Sequence, residues 1–336
     1  MALLAIANNA THGVGSVGTV RTFVYSIPMT TRFRGITVRE GMLVEGPAGW
    51  GEFCPFPEYD DAEAASWLAA ALEAASLGWP APVRERVPVN CIVPAVGPDK
   101  AQEMVRASGC ATAKVKVADE PGSLCADLDR VAAVRDALGA GGAIRVDANA
   151  RWDVDEAVAA IRALDRAAGG LQYVEQPCGT VDELVSVRKR VDVRIAADEA
   201  IRRAADPLAV DVTDAADVAI LKVAPLGGVR RALAVAEACG LPCVVSSALE
   251  TSVGLAAEIA LAAALPELEF ACGLGTIALL RDDVVDSPLR PVDGMLPVVR
   301  RAPDPVRRSA LPADDDRTAW WDARLTRVSS LLAARP

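Results

Sequence analysis

Between Ala113 and Val223 the chain carries five short apolar segments, each interrupted or ended by a charge. They read AKVKV with Lys114 and Lys116, IRVDAN with Asp147, LQYVEQP with Glu175, RIAADE with Asp198 and VAILKV with Lys222. A charge set among residues destined for burial is costly unless something compensates it. From Lys116 onward the charges recur at intervals of 31, 28, 23 and 24 residues, and an Ala/Leu/Arg-rich stretch of helical pattern fills each gap. That period predicts successive strand–helix units of a parallel α/β barrel, since parallel strands need a crossover of about this length. The C-terminal strand ends of such a barrel meet on one face, where active sites sit. Three carboxylates and the lysines are therefore expected to converge.

The same reading places barrel strands near 87–93, 113–118, 143–148, 171–176, 193–198, 218–223, 242–247 and 269–273. Ahead of them, residues 1–20 read as a loose extension. Residues 21–86 read as an α+β capping domain, with strands at TFVYSIPM, ITVREGMLVEG and AGWGEF, a turn at TTRFRG and an Ala-rich helix from Ala62 to Leu77. The barrel is expected over 87–299. A C-terminal segment, 300–336, carries Trp321, Leu325, Val328 and Leu332 on one helical stripe, and is expected to pack back on the cap.

Charge and cysteine usage narrow the class. A net charge of -10 and a pI near 4.8 oppose nucleic-acid or anionic-membrane partners. The longest apolar stretch, VGLAAEIALAAAL, contains Glu258 and is too short for a membrane span. MALLAIANNA lacks the basic start of a secretory signal. The 8 cysteines are scattered without a CxxC, which fits reduced thiols in the cytoplasm. The single histidine, His12, lies in the loose end, which removes histidine-ligated zinc and triad mechanisms.

Three hard oxygen ligands, Asp147, Glu175 and Asp198, suit Mg²⁺, with Mn²⁺ a possible substitute. Taken singly, each acid could instead cap the next helix or form a surface pair. Lys114 and Lys116, two apart on a strand, share one face. Lys222 arrives from across the barrel. Facing ammonium groups beside a metal would depress a lysine pKa towards that of a general base. Metal and lysines together point to proton abstraction next to the carboxylate of a small-molecule substrate. Asn149 and Glu199 are placed to orient ligands or a lysine. Ser246, Ser247 and Glu250 follow the seventh strand, and Gly273 and Gly275 the eighth, where bare backbone can approach an anion or simply turn.

On these residues the chain resembles the enolase superfamily, muconate-lactonizing subgroup. The shared pattern is Lys114-Val-Lys116, Asp147-Ala-Asn149, Glu175-Gln-Pro177, Asp198-Glu199 and Lys222. The resemblance spans nearly the whole chain and implies a modified (β/α)8-type barrel, (β/α)7β, under an α+β cap. Within the subgroup, TRFRGITVREGMLVEGPAGWGEF, LKVAPLGG, VVSSALETSVGLAA and ACGLGT are similar to members that dehydrate 2-succinyl-6-hydroxy-2,4-cyclohexadiene-1-carboxylate to 2-succinylbenzoate in menaquinone biosynthesis. It implies Lys116 as the base that later protonates the leaving hydroxyl, and Lys222 as the group that stabilises the enediolate. Substrate-facing regions would include Arg34, the segment 51–59, Ser246, Ser247 and Gly273. N-succinylamino acid racemisation uses the same lysine pair and stays open. Dipeptide epimerisation is disfavoured, because ACGLGT lacks the acids of the epimerases' DxD. A silent scaffold would be expected to lack one of the five groups.

Overall fold

The computed structural model describes residues 21–334, so the extension expected at 1–20, with His12, lies outside the described residues. The cap opens with β1 (Thr22–Phe33), β2 (Ile36–Gly46) and β3 (Gly49–Phe53), an antiparallel sheet in that order. The expected turn over TTRFRG shrinks to Arg34-Gly35, because β1 runs on to Phe33, which pairs with Ile36 after an irregularity following Pro28. Both turn residues have positive φ, 50° and 82°, as a tight hairpin matching strand twist requires. The helix α1 (Asp61–Ser76) lies on the sheet. Its alanines allow close approach: a Cβ on Gly51 would fall 2.0 Å from the Ala71 carbonyl oxygen. Backbone cannot yield as a flexible side chain does, so Gly51→Ala is expected to destabilise by about 1–3 kcal/mol or more. A chemical-denaturation midpoint measures it.

The chain then passes through β4 (Arg86–Pro88), β5 (Cys91–Val93), α2 (Pro98–Ser108), β6 (Thr112–Lys116), α3 (Leu124–Leu138), β7 (Ala143–Asp147), α4 (Val154–Ala168) and β8 (Tyr173–Glu175). It continues with α5 (Val181–Arg188), β9 (Ile195–Ala197), α6 (Glu199–Arg202), β10 (Val218–Leu221), α7 (Val223–Leu226), α8 (Val229–Cys239), β11 (Cys243–Val245) and α9 (Ser252–Ala264). The sheet order is β11-β10-β9-β8-β7-β6-β5, every neighbouring pair parallel. Helices α4 and α5 each begin with a reciprocal capping box, Asp153 with Glu156 and Thr180 with Glu183, so the crossovers start at fixed points.

Two expectations change here. The first stave is not one strand over 87–93: β4 pairs antiparallel with β12 (Met295–Pro297) at its own small sheet, and only β5 joins the barrel. The eighth stave, expected at 269–273, reduces to two parallel bridges, Val89 with Cys272 and Ser246 with Gly273. Bonds from Asn90 N to Cys272 O (2.9 Å) and from Gly273 N to Val245 O (2.8 Å) close the ring there. Glycines at 273 and 275 follow at once and end the extended run.

The barrel also holds a separate apolar cluster of Tyr173, Ala196, Val218, Ile220, Val244 and Phe270. After β12, α10 (Pro305–Ala310) leads into 311–313, which lie along β1: Ser26 N donates to Leu311 O at 3.0 Å. Helix α11 (Asp315–Ala333) then packs on α1, with Trp321, Leu325 and Val328 buried and Leu332 only partly so. The Trp321 ring meets Phe53 edge-on at 5.8 Å. Among the described residues no helix is long and apolar enough to cross a membrane.

Candidate active site

Strand register sets the site. Lys114, Arg145 and Tyr173 are lateral neighbours in one row, and Lys116, Asp147 and Glu175 form the next row towards the C-terminal ends. Period-two alternation sends both rows to the same face. Lys116 Nζ donates to Asp147 Oδ2 at 2.5 Å and to Asn149 Oδ1 at 2.6 Å. Lys114 Nζ reaches Glu175 Oε1 at 2.5 Å and Asp147 Oδ2 at 2.9 Å. Asp198, beyond β9, is held by Lys222 Nζ and by Arg202 Nε at 3.0 Å, and Arg202 also grips Glu199 Oε1 at 2.8 Å. Asn149 Nδ2 donates to the same Glu199 oxygen at 3.3 Å.

Two of these partners were not assigned roles from sequence. Arg202 lies one helical turn after Asp198, a spacing that could have flagged it. Gln176, quoted only as part of EQP, accepts from the backbone amides of Asp198 (2.9 Å) and Ala200 (3.1 Å), and so fixes where Asp198 begins.

Burial acts on every charge here, and the neighbours decide its outcome. Burial alone would raise the Asp147 carboxyl, yet the ammonium groups of Lys114 and Lys116 hold it well below the usual carboxylate range. Burial likewise opposes ionised Asp198, and Arg202 with Lys222 overcome it. Glu175 goes the other way: burial, then the charge of Asp147, push it up to about 7 despite Lys114. Burial lowers Lys116, and the like charge that adds to the effect is Lys114, beside it. Sequence reasoning had placed that second role on Lys222, across the barrel. Lys114 rises in spite of burial because it faces both Asp147 and Glu175.

Whether a hard divalent ion suits this centre depends on its donors. Among the described residues no group of three or more such side chains is gathered as a metal cluster. The lysines and Arg202 take up the carboxylate oxygens instead. Two buried carboxylate oxygens here, Glu175 Oε2 and Glu199 Oε2, have no hydrogen-bond partner, and burial with the charge of Asp147 leaves the Glu175 carboxyl poorly compensated. An orphaned carboxylate oxygen next to Asp147, in an all-oxygen donor set, fits Mg²⁺ or Mn²⁺ in kind.

Above the rows lies a small pocket with a cavity volume of about 40 Å³. Lys114, Lys116, Asp147 and Asn149 line it from β6, β7 and the residues after them, Lys222 from the end of β10, and Ser246, Ser247, Ala248, Leu249, Gly273 and Thr276 complete the lining. Glu175 and Asp198 do not line it. They sit fully buried, in contact with Lys114 and with Lys222 and Arg202. Because β6 and β10 are separated by three strands in the sheet, Lys116 and Lys222 flank the pocket from different sides. Gly273 lies close against Ser246: a Cβ there would come within 2.7 Å of Ser246 Oγ, and that hydroxyl would have to turn aside. Ser247 Oγ bonds to Gly273 O at 3.0 Å and pairs with Thr276 Oγ1 at 2.7 Å. Glu250, named with these serines from sequence, points away and accepts from the Ala248 amide.

The cap contributes Phe33, Arg34 and Phe56 to the pocket. The Arg34 guanidinium lies 4.3 Å from the Phe56 ring centre and donates to Tyr59 Oη at 3.0 Å. Phe56 falls in the segment 51–59 expected to face the substrate, whereas Phe33, Asn90 and Thr276 were not singled out in sequence. The two phenylalanines carry no spacing signal, because they come from a hairpin end and a loop.

Comparisons with known proteins add independent information. Residues 98–303 match the family described as enolase C-terminal domain-like, and residues 24–75 match enolase N-terminal domain-like. Over 301 residues the chain is 63% identical to the o-succinylbenzoate synthase of Thermobifida fusca, covering 90% of this chain and 93% of that protein. It is 53% identical over 325 residues to the o-succinylbenzoate synthase of Mycolicibacterium smegmatis, covering 96% of this chain and 100% of its relative. Among solved structures, the L-Ala-D/L-Glu epimerase of Bacillus subtilis superposes with a TM-score of 0.72 at 23% identity, covering 85% of this chain and 97% of that one. Muconate cycloisomerase from Pseudomonas fluorescens gives 0.68 at 24%, covering 90% and 97%. At these identities the structural likeness speaks for the fold alone.

Proposed function

The chain belongs to the o-succinylbenzoate synthases of the enolase superfamily, and on that premise we propose that it removes water from the succinyl-bearing hydroxycyclohexadiene carboxylate to give 2-succinylbenzoate, in menaquinone biosynthesis. The observation that carries the mechanism is the row of Lys116, Asp147 and Glu175 with Lys222 facing the same pocket from another side.

Asp147, Glu175 and Asp198 would hold Mg²⁺, which when bound supplies a fixed positive charge to the substrate carboxylate and so acidifies the adjacent C–H. Lys116, its ammonium form disfavoured by burial and by Lys114, takes that proton as a neutral amine. Asp147 and Asn149 fix its position, at 2.5 Å and 2.6 Å. Lys222, charged and paired with Asp198, stabilises the negative charge that develops on the substrate. The hydroxyl then leaves with the proton that Lys116 has gained, so the amine is regenerated and one water is lost. One base thus serves both proton transfers on a single face, as a syn elimination needs. Ring aromatisation supplies much of the driving force.

Arg34, Ser246, Ser247 and Gly273 would face the remainder of the substrate, while Lys114 and Glu199 orient the acids and Asn149. All 8 cysteines are unpaired, which supports a reducing, cytoplasmic setting. The deciding assay follows loss of the cyclohexadiene chromophore with Mg²⁺ present, beside deuterium exchange into N-succinylamino acids. Dehydration is expected. Exchange without dehydration would replace this reading with racemisation.

A further inference from the structure

Arg39 stands on β2 of the cap with its guanidinium buried, and among the described residues no carboxylate accepts from it. Its Nε donates to Leu249 O at 2.9 Å, and its Nη2 donates to Cys54 O at 2.5 Å and to Ala248 O at 3.4 Å. The Phe56 ring stacks against it at 4.5 Å. Phe56, Ala248 and Leu249 all line the pocket, so one planar fork joins the cap's wall to the wall that follows β11. The segment it grips needs holding. Leu249 has a φ of 72°, a left-handed conformation that its Cβ makes unfavourable for a leucine. The Ala248 amide is held from the other side by both Glu250 carboxylate oxygens, at 2.9 Å and 2.8 Å. Side chains therefore hold this segment's amide and its carbonyls.

We propose that Arg39 is a positioning residue for the substrate wall: it locks Ala248 and Leu249 against Phe56, and so governs how tightly the part of the substrate remote from the reacting carbon is held. It touches neither Lys116 nor Lys222, so proton removal is outside its reach. The assignment to substrate binding rests on the dehydratase reading above, whereas the locking of the wall does not.

The test uses the full chain with Arg39→Lys, which keeps the charge but loses the planar fork, and Arg39→Gln, which keeps a short planar donor. In Arg39→Lys, KM is expected to rise about tenfold with kcat within about threefold, the pattern of lost uniform binding. Hydrogen exchange in the 246–250 segment is expected to quicken about tenfold while β6 to β8 stay protected. An unchanged KM in a folded variant would overturn the role in binding, and so would a fall in kcat alone. Unchanged exchange would overturn the locking, even if wild-type protein failed to dehydrate the cyclohexadiene and the functional reading fell by itself. Failure of both variants to fold also overturns it, because Arg39 would then be a requirement of the fold and not of the wall.

Discussion

Replacement of Lys116 by alanine is expected to cut dehydration by about 10²–10⁴-fold, the range for loss of a positioned general base, with the fold retained. The side chain is 15% exposed at the pocket wall, so truncation leaves no cavity in the packed core. Its loss does remove one of the two cations facing Asp147, which Lys114 continues to satisfy at 2.9 Å. Steady-state turnover with a circular-dichroism melt distinguishes a chemical defect from unfolding. The pH dependence carries the same signature. Lys116 acts as the free amine, so kcat/KM rises with pH through its pKa. Burial and Lys114 lower that pKa, so the rising limb falls below the value of about 10.4 usual for lysine. A limb at or above that value would argue against Lys116 as the base.

Removal of divalent metal is expected to be as severe. With chelator, turnover should fall to background, and Mg²⁺ or Mn²⁺ should restore it. Glu175→Gln should weaken Mn²⁺ binding in calorimetry by more than the 10–100-fold (about) that follows loss of an outer-shell partner. The reason lies in Glu175 itself, whose free Oε2 and poorly compensated charge are the features an ion would satisfy. Undiminished activity in excess chelator would refute the metal assignment and leave the lysines to carry the reaction alone.

The barrel was legible because its strands combine an apolar run with a charge at a near-regular interval, and a parallel sheet offers few other ways to satisfy that pattern. Its seam was not. The first and eighth staves carry no charge to mark them, Pro88 interrupts the first, and paired glycines erase the last. Within the site, spacing alone gave the shared face of Lys114 and Lys116. The sequence could not say that lysines would lie against the acids, nor that Glu175 and Asp198 would sit under the pocket and not in its lining, since these follow from side-chain length and depth. Arg39 was invisible for a related reason. In VREGM it reads as the polar partner in an alternating strand, and only the carbonyls of Ala248 and Leu249, over 200 residues away, explain its burial.

Arg324, on α11, donates to Phe56 O at 3.2 Å and to Tyr59 O at 2.5 Å, and thereby pins the loop that carries the cap's aromatic wall. That loop and its anchor are separated in sequence by the entire barrel. Contacts of such long range cost loop-closure entropy before they return any stabilisation. The aromatic wall of the pocket thus depends on the far C-terminal helix, and a change that loosens α11 can unlatch this roof from a distance.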